Sequence, residues 1–233
     1  MKWAHFAMAV GSFVAGAGAL EKAFELDERK KRRQLDLSSP VHDQTAPRAR
    51  IRHVHTIDQR LSAVMEQMNR SVRDPYIRHL AGQLVSRRCR TANTLTGDGG
   101  WCLNERDYWG EVKAIYQFVR ANVRYVRDIH TIDTFQTACR TLEMRSGDCD
   151  DFTITLGALL IAVGFPVRTK TIQTKSASDY NHIYLQVGLP PTKPTRWRTL
   201  DASTPNGPGW EAPRSMIARQ RLDYPEDRRW GKR

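Results

Sequence analysis

One cysteine in the sequence stands among acidic residues, directly before an apolar segment. Residues 145–153 read RSGDCDDFT, and the apolar run ITLGALLIAVGF follows at once. The thiolate is the nucleophilic form of cysteine, and neighbouring carboxylates disfavour it. Whether Cys149 can be reactive therefore depends on how the following helix positions it and on what other groups lie near it.

The sequence places Cys149 in the first turn of the helix that the apolar run predicts. Gly147 permits a tight turn, and Asp148 is a favoured N-cap residue. Unpaired backbone N–H groups and the positive end of the helix dipole stabilise a thiolate there. The negative charges of Asp150 and Asp151 are favourable at a helix start, but they disfavour a thiolate on Cys149. We therefore expect a cation close to Cys149.

His182 and Asp201 are the residues best placed to activate Cys149. His182 opens the predicted strand HIYLQVGL, and Asp201 closes the next one, RWRTLDA. If the two strands pair antiparallel, the start of one lies beside the end of the other. A cysteine nucleophile is activated by a histidine that a third group orients. Spacing alone leaves open a buried structural cysteine, a strand-edge histidine and a turn-forming aspartate.

Two further roles are open to polar residues near this site. Gln136, in DTFQTACRTLEM, is a candidate side-chain donor to an oxyanion, or else an ordinary turn residue. Asp148, Asp150 and Asp151 with a histidine are a weak metal-site candidate, because the loop lacks the Asp-x-Asp-x-Asp-Gly pattern and distal glutamate of a calcium hand. The sequence therefore predicts no metal site and no cofactor.

Hydrophobic periodicity predicts the elements that must position these residues. Four helices begin after Thr56, after Asp74, near Asp107 and near Cys149, and GFP at 164–166 ends the last one. Three strands cover residues 167–174, 182–189 and 196–202. Helices followed by consecutive strands with short turns predict an α+β fold, with N-terminal helices packed on a small antiparallel sheet.

Composition divides the chain of 233 residues into four segments. We expect an apolar or amphipathic helix over 1–28, a basic linker over 29–55, a globular domain over 56–205 and a basic tail over 206–233. The N-terminal helix then lies outside the core of the domain.

The N-terminal apolar segment has three interpretations. Residues 3–20 are uncharged, and Ala7, Gly11 and Ala15 have the small-xxx-small spacing of close helix contacts. The segment is just long enough to span a membrane. A signal peptide is less favoured, because a single lysine precedes the run and RKKRR follows it. The third interpretation is an alanine-rich helix packed on a partner protein.

The net charge of +12 and the pI near 9.9 favour acidic partners. We expect nonspecific contact with DNA or an anionic membrane through residues 1–33 and 206–233, and assembly partners through the N-terminal helix. Among four cysteines, Cys89 and Cys102 could bridge a glycine-rich loop or remain two thiols. No CxxC pair occurs, which disfavours a zinc ribbon.

Three segments resemble the transglutaminase-like cysteine peptidase superfamily of the bacterial and phage type, whose core is papain-like. They are SGDCDDFTITLGALLIAVGFPVR, YNHIYLQV and WRTLDAS, and EVKAIYQFVRANVRYVRD is similar to the helix before the catalytic cysteine in that group. The resemblance covers most of 107–204 and assigns the domain of 56–205 to that superfamily. It implies that Cys149 is the nucleophile, His182 the general base and acid, and Asp201 the carboxylate that orients the ring.

The resemblance implies a thiol-dependent acyl-transfer enzyme acting on a peptide or amide, associated with a phage or prophage. Hydrolysis is favoured over transamidation, because nothing in the sequence indicates a site that excludes water and admits a second amine. The alternative is a structural component of a phage particle or other assembly, with an idle triad. A location in a virion or at a membrane is favoured over the free cytoplasm, and secretion less so. We further expect Cys149 and His182 to form a thiolate–imidazolium pair.

Overall fold

The structure is a computed structural model that describes residues 49–52, 56–87, 100–128 and 133–225. The predicted N-terminal helix over 1–28, and most of the predicted linker, lie outside the described residues. The residues that are described belong to one compact unit. No helix in these ranges is both long enough and apolar enough to cross a bilayer.

Helices precede the main sheet along the chain, as the sequence predicts. The elements are β1 (Ala49–Arg52), α1 (Ile57–Arg73), α2 (Pro75–Val85), α3 (Tyr108–Asn122), β2 (Arg124–Tyr125), β3 (Asp133–Gln136), α4 (Ala138–Met144), β4 (Ser146–Gly147), α5 (Cys149–Ala162), β5 (Val167–Thr174), β6 (His182–Leu189), β7 (Arg196–Leu200) and β8 (Ile217–Asp223), with a 3-10 turn at Arg214–Met216.

The predicted helix starts are formed by the expected side chains. Thr56 and Gln59 make a reciprocal capping box at the start of α1. Asp74 accepts a hydrogen bond of 2.8 Å from the Tyr76 backbone N–H and caps α2, in which Pro75 is the first residue. Asp107 caps α3 through the Gly110 N–H at 2.9 Å. These local signals fix where the helices that surround the site begin.

Helix α5 is the centre of the domain. It contacts each of the other four helices and strand β6, and its residues from Asp150 to Leu160 are all buried. Gly157 lets α1 approach closely, since a Cβ atom there would lie 2.7 Å from the Met68 sulfur. A helix that is apolar on all sides belongs in the interior, so the residues at its start are held rigidly.

The main sheet is antiparallel, with strand order β7-β6-β5-β8. Leu185 pairs with Leu200 and His182 pairs with Ile172, so the start of β6 lies beside the end of β7. The observed α+β fold, with helices packed on a small antiparallel sheet, confirms the predicted fold class.

The segments predicted as a basic linker and a basic tail each contain a strand. The C-terminal segment 206–233 is not only a tail, because β8 pairs with β5 along Thr169–Thr174 and forms one edge of the sheet. The sequence did not indicate β8, because its arginines suggested a solvent-exposed tail, although charged side chains are common on edge strands. The linker segment 29–55 contains β1, which pairs antiparallel with β3. Neither β1 nor β3 was predicted, because each has only four residues.

Candidate active site

The start of α5 has the predicted geometry. Asp148 is the N-cap residue, and its Oδ1 accepts hydrogen bonds from the N–H groups of Asp150 (3.0 Å) and Asp151 (3.3 Å). The Asp151 carboxylate in turn accepts from the Asp148 N–H at 3.4 Å, which completes a capping box. Cys149 is the first residue of the helix, so its backbone N–H has no intrahelical acceptor.

His182 and Asp201 are in direct contact. His182 Nε2 lies 2.8 Å from Asp201 Oδ2, and the Asp201 side chain is almost fully buried. Because Asp201 occupies Nε2, the Nδ1 atom of the ring remains available to another partner. The antiparallel pairing of β6 with β7 brings the two residues together, as the sequence predicts.

The carboxylate of Asp201 is fixed on both oxygens. Its Oδ1 accepts from the Ser203 hydroxyl at 2.7 Å and from the Ser203 N–H at 3.2 Å. The Tyr116 hydroxyl lies 2.9 Å from the Asp201 carbonyl oxygen and 2.6 Å from that of Asn206. Neither role is visible in the sequence, because Tyr116 lies on an apolar helical stripe and Ser203 in a polar turn.

The thiol of Cys149 lies at the start of β6. The Ile183 backbone N–H donates a hydrogen bond to the sulfur, and Thr153 Oγ1 donates to the Ile183 carbonyl at 3.3 Å. Two residues of α5 therefore contact the residue that directly follows His182. These contacts place Cys149 beside the residue that follows His182, and His182 itself contacts Asp201.

The environment of Cys149 favours the neutral thiol. Burial raises its pKa well above the ordinary value, and the charges of Asp150 and Asp148 raise it further; the Ile183 hydrogen bond and Arg60 act in the opposite direction. This environment disfavours the resting thiolate–imidazolium pair, which stays a prediction. The helix start and the charge of Arg60 lower the pKa of Cys149 less than burial and the charges of Asp148 and Asp150 raise it.

Gln136 has a different role from the predicted oxyanion donor. Its Nε2 donates to Asp151 Oδ2 at 2.7 Å and to the Ser146 carbonyl at 3.2 Å, and its backbone N–H donates to Asp151 Oδ1 at 2.8 Å. Both amide hydrogens are used, so none remains for an oxyanion. Gln136 instead holds the capping carboxylate, whose pKa burial raises to about 7.

Tyr125 is an exposed aromatic residue beside the nucleophile that the sequence did not single out. Strand β2 pairs in parallel with β4, opposing Tyr125 to Gly147, two residues before Cys149. The Tyr125 ring lies 6.5 Å from that of Phe152, and 42% of the residue is exposed. Burial of its remaining surface, followed by the charges of Cys149 and Asp148, raises its pKa. Tyr125 therefore borders the approach to the thiol.

The acidic cluster at the start of α5 is not arranged as a metal site. Among the described residues, no group of three or more His, Cys, Asp or Glu side chains is placed to hold a metal ion. The carboxylates of Asp148 and Asp151 serve the capping box instead.

The other thiol chemistry lies away from this site. The Cys139 sulfur donates to Asp74 Oδ2 at 3.0 Å within the helical layer. Cys102 is disulfide-bonded, whereas Cys89, the partner considered in the sequence, lies outside the described residues.

Residues 100–202 match the family model of the transglutaminase-like superfamily. The match contains α3, the whole of α5, the strand β6 that begins with His182, and β7 with Asp201 directly after it. Together with the observed α+β fold, the match shows a transglutaminase-like core within residues 100–202. A search of curated proteins found no match.

Several solved structures are similar over part of their length. A candidate cysteine protease from Cytophaga hutchinsonii is 17% identical, with 71% of this chain and 48% of that chain covered and a TM-score of 0.39. A candidate protease from Parabacteroides distasonis is 11% identical, with coverages of 64% and 27% and a TM-score of 0.43. A TGase is 15% identical, with coverages of 79% and 40% and a TM-score of 0.32. The chain spans less than half the length of each.

Proposed function

We propose that the protein is a thiol-dependent acyl-transfer enzyme that acts on a peptide or amide bond, with Cys149 as nucleophile. The observation that carries the proposal is the hydrogen bond from His182 Nε2 to the buried Asp201 carboxylate, at 2.8 Å, beside the start of α5. A buried carboxylate that fixes a histidine next to a cysteine is the arrangement that activates a thiol. The match of residues 100–202 to the transglutaminase-like superfamily also supports a cysteine-protease-like enzyme, without indicating a particular activity.

The reaction begins with general-base catalysis from a neutral thiol. His182 Nδ1 accepts the proton of Cys149 as the sulfur attacks the carbonyl carbon, and Asp201 stabilises the imidazolium that forms. The C–N bond of the tetrahedral intermediate then breaks, and His182 returns the proton to the leaving amine. A thioester on Cys149 remains.

The developing oxyanion requires a hydrogen-bond donor near the sulfur. With the Gln136 amide engaged elsewhere, the backbone N–H of Cys149 is the donor that we assign, because a first helical residue has no intrahelical acceptor. The positive end of the α5 dipole acts in the same direction.

Water resolves the thioester in a peptidase or amidase, and an amine resolves it in a transglutaminase. We propose hydrolysis, because His182 retains 23% of its side-chain surface exposed and Tyr125 is open to solvent, so water reaches the site. Hydrolysis of the thioester gives a carboxylic acid and regenerates the thiol.

The test uses casein as a mixed peptide and glutamine substrate. New amino termini and released ammonia report hydrolysis, and incorporation of a fluorescent primary amine reports transamidation. We expect hydrolysis from the wild type and from Cys139→Ser, the matched thiol control, but none from Cys149→Ser. Equal turnover by Cys149→Ser would refute the proposal, and dominant amine incorporation would refute the hydrolytic outcome.

The association with a phage or prophage, and the structural role with an idle triad, stay predictions. A structural component with an idle triad would have no hydrolytic activity that depends on Cys149. Loss of hydrolysis only in Cys149→Ser therefore distinguishes the enzyme from the structural alternative.

A further inference from the structure

Arg60 lies outside the segment that matches the superfamily, and its side chain reaches Asp150, the residue after the candidate nucleophile. It lies in the first turn of α1. Its Nη2 donates to Asp133 Oδ1 at 2.7 Å, and its Nε lies 3.9 Å from Asp150 Oδ2. The guanidinium therefore connects α1 to β3 and to the residue that directly follows Cys149.

Asp150 is the least compensated carboxylate at the start of α5. Its side chain is 4% exposed, and its Oδ1 has no hydrogen-bond partner among the described residues. Asp148 and Asp151, in contrast, both accept backbone N–H groups. A buried carboxylate is stable only with a cation or a proton nearby, and Arg60 is the cation that α1 brings to it.

The charges around Cys149 come from several elements. The acidic groups are Asp128 after β2, Asp133 on β3, and Asp148, Asp150 and Asp151 at the start of α5. Tyr125 on β2 is a further titratable group near the thiol, and His182 on β6, which contacts Asp201, directly precedes Ile183 beside the sulfur. Arg60 is the cation that offsets the carboxylates. Its own pKa, which burial lowers, is raised overall because Asp150 and Asp133 favour the charge.

We propose that Arg60 is a positioning residue that neutralises Asp150 and thereby keeps the Cys149 thiol reactive at neutral pH. The sequence called for a cation beside the acidic cluster, and the structure supplies it from a helix outside residues 100–202. The proposal rests on the proposed function only in taking Cys149 as the nucleophile.

The test is the pH dependence of alkylation at Cys149 by iodoacetamide, resolved by mass spectrometry. The variants are Arg60→Gln and Arg60→Lys, and Arg73→Gln, an exposed arginine on the same helix, is the matched control. A nearby charge shifts a pKa by about one unit. We therefore expect the Arg60→Gln profile to move about one pH unit upward, with about ten-fold slower alkylation at pH 7. Arg60→Lys should lie between it and the wild type, and Arg73→Gln should match the wild type.

A double variant shows whether Arg60 acts through Asp150. Asp150→Asn alone should move the alkylation profile to lower pH. Adding Arg60→Gln to it should move the profile upward by clearly less than Arg60→Gln moves that of the wild type, because only the direct effect of the Arg60 charge on the sulfur is then lost. This comparison also serves if Arg60→Gln alone does not fold, because the double variant lacks the buried charge of Asp150, and Asp133 is partly exposed. A folded Arg60→Gln with the wild-type profile, or a double variant shifted upward from Asp150→Asn by about a full pH unit, would overturn the proposal.

The alkylation assay separates this inference from the proposed function. Alkylation needs no substrate turnover, so an Arg60 effect can be present even if casein is not hydrolysed. Conversely, hydrolysis could require Cys149 while the alkylation profile of Arg60→Gln equals that of the wild type. That result would support the proposed function and reject the role of Arg60.

Discussion

At the residue scale, the structure separates the roles of the polar groups around one thiol. Asp148 caps α5, Asp151 completes the capping box, and Asp201 fixes His182. None of these aspartates needs to act directly on the sulfur. Reactivity must then come from His182 during the reaction, because burial and the adjacent charges favour a neutral thiol at rest.

Substitution of the histidine and of its partner should have graded effects. We expect His182→Asn to lower kcat/KM for casein hydrolysis by about 10²- to 10⁴-fold, the range for loss of a general acid–base group. Asp201→Asn should cause a smaller loss, because its amide oxygen can still accept from Nε2–H. His79→Asn, which changes an exposed histidine of α2, is the control. Equal activity of His182→Asn and His79→Asn would contradict the assignment.

At the element scale, the site depends on how α5 begins. Gly147 leaves room for the capping carboxylate, since a Cβ atom there would lie 2.5 Å from Asp151 Cβ and 2.6 Å from Asp151 Oδ2. The sequence predicted this helix start from GDCDD alone, because capping is a local interaction. The clamp from Gln136 to Asp151 joins β3 to α5 across 15 residues, and no local pattern could reveal it.

Gly147→Ala should therefore disturb the start of α5. Overpacking at a tight site destabilises by about 1–3 kcal/mol, and we expect a loss of that size in the free energy of unfolding by urea denaturation. Gly82→Ala is the matched control, because a Cβ atom at Gly82 meets nothing within 4 Å. The structure is contradicted if the two substitutions have the same effect.

Strand β8 gives a second prediction at this scale. Removal of residues 214–233 deletes the strand that pairs with β5, whereas removal of 226–233 leaves it intact. We expect the first truncation to lower Tm by at least about 5 °C, corresponding to the loss of one to two kcal/mol or more. The shorter truncation should leave Tm unchanged. Equal Tm values would restore the original prediction of a basic tail.

At the scale of the whole molecule, the sequence predicted the fold class and most of the elements. Four helices and three strands were placed within a few residues, because capping residues and apolar periodicity mark them locally. Two of the short strands, β1 and β3, and the edge strand β8 were missed, because pairing partners distant in sequence define them. The contacts of Tyr116 and Arg60 likewise join residues distant in sequence, whereas Ser203 contacts Asp201 within a local turn.

The buried acidic cluster should make stability depend on pH in an unusual direction. Burial raises the pKa of Asp148 to about 6 and that of Asp151 to about 7, and that of Asp150 is also raised. Between an ordinary carboxyl pKa near 4 and these values, the folded state binds more protons than the unfolded state. The contribution of these groups to stability is therefore lost as pH rises from about 4 to 7.

Urea denaturation between pH 5 and 7.5 measures this dependence. We expect the free energy of unfolding to fall as pH rises across the range, and to fall less steeply in Asp150→Asn, which lacks one buried carboxylate. Asp179→Asn changes a side chain that is 70% exposed and should retain the wild-type slope. A slope in Asp150→Asn that equals the wild-type slope would contradict the effect assigned to this group.

The central claim is that His182 activates Cys149 as a nucleophile. The most direct measurement is the rate of iodoacetamide alkylation at Cys149 at pH 7.5, resolved by mass spectrometry, in the wild type and in His182→Asn. We expect alkylation of Cys149 to be at least about ten-fold slower in His182→Asn, because the base that accepts the thiol proton is lost. Equal rates in the two proteins would contradict it.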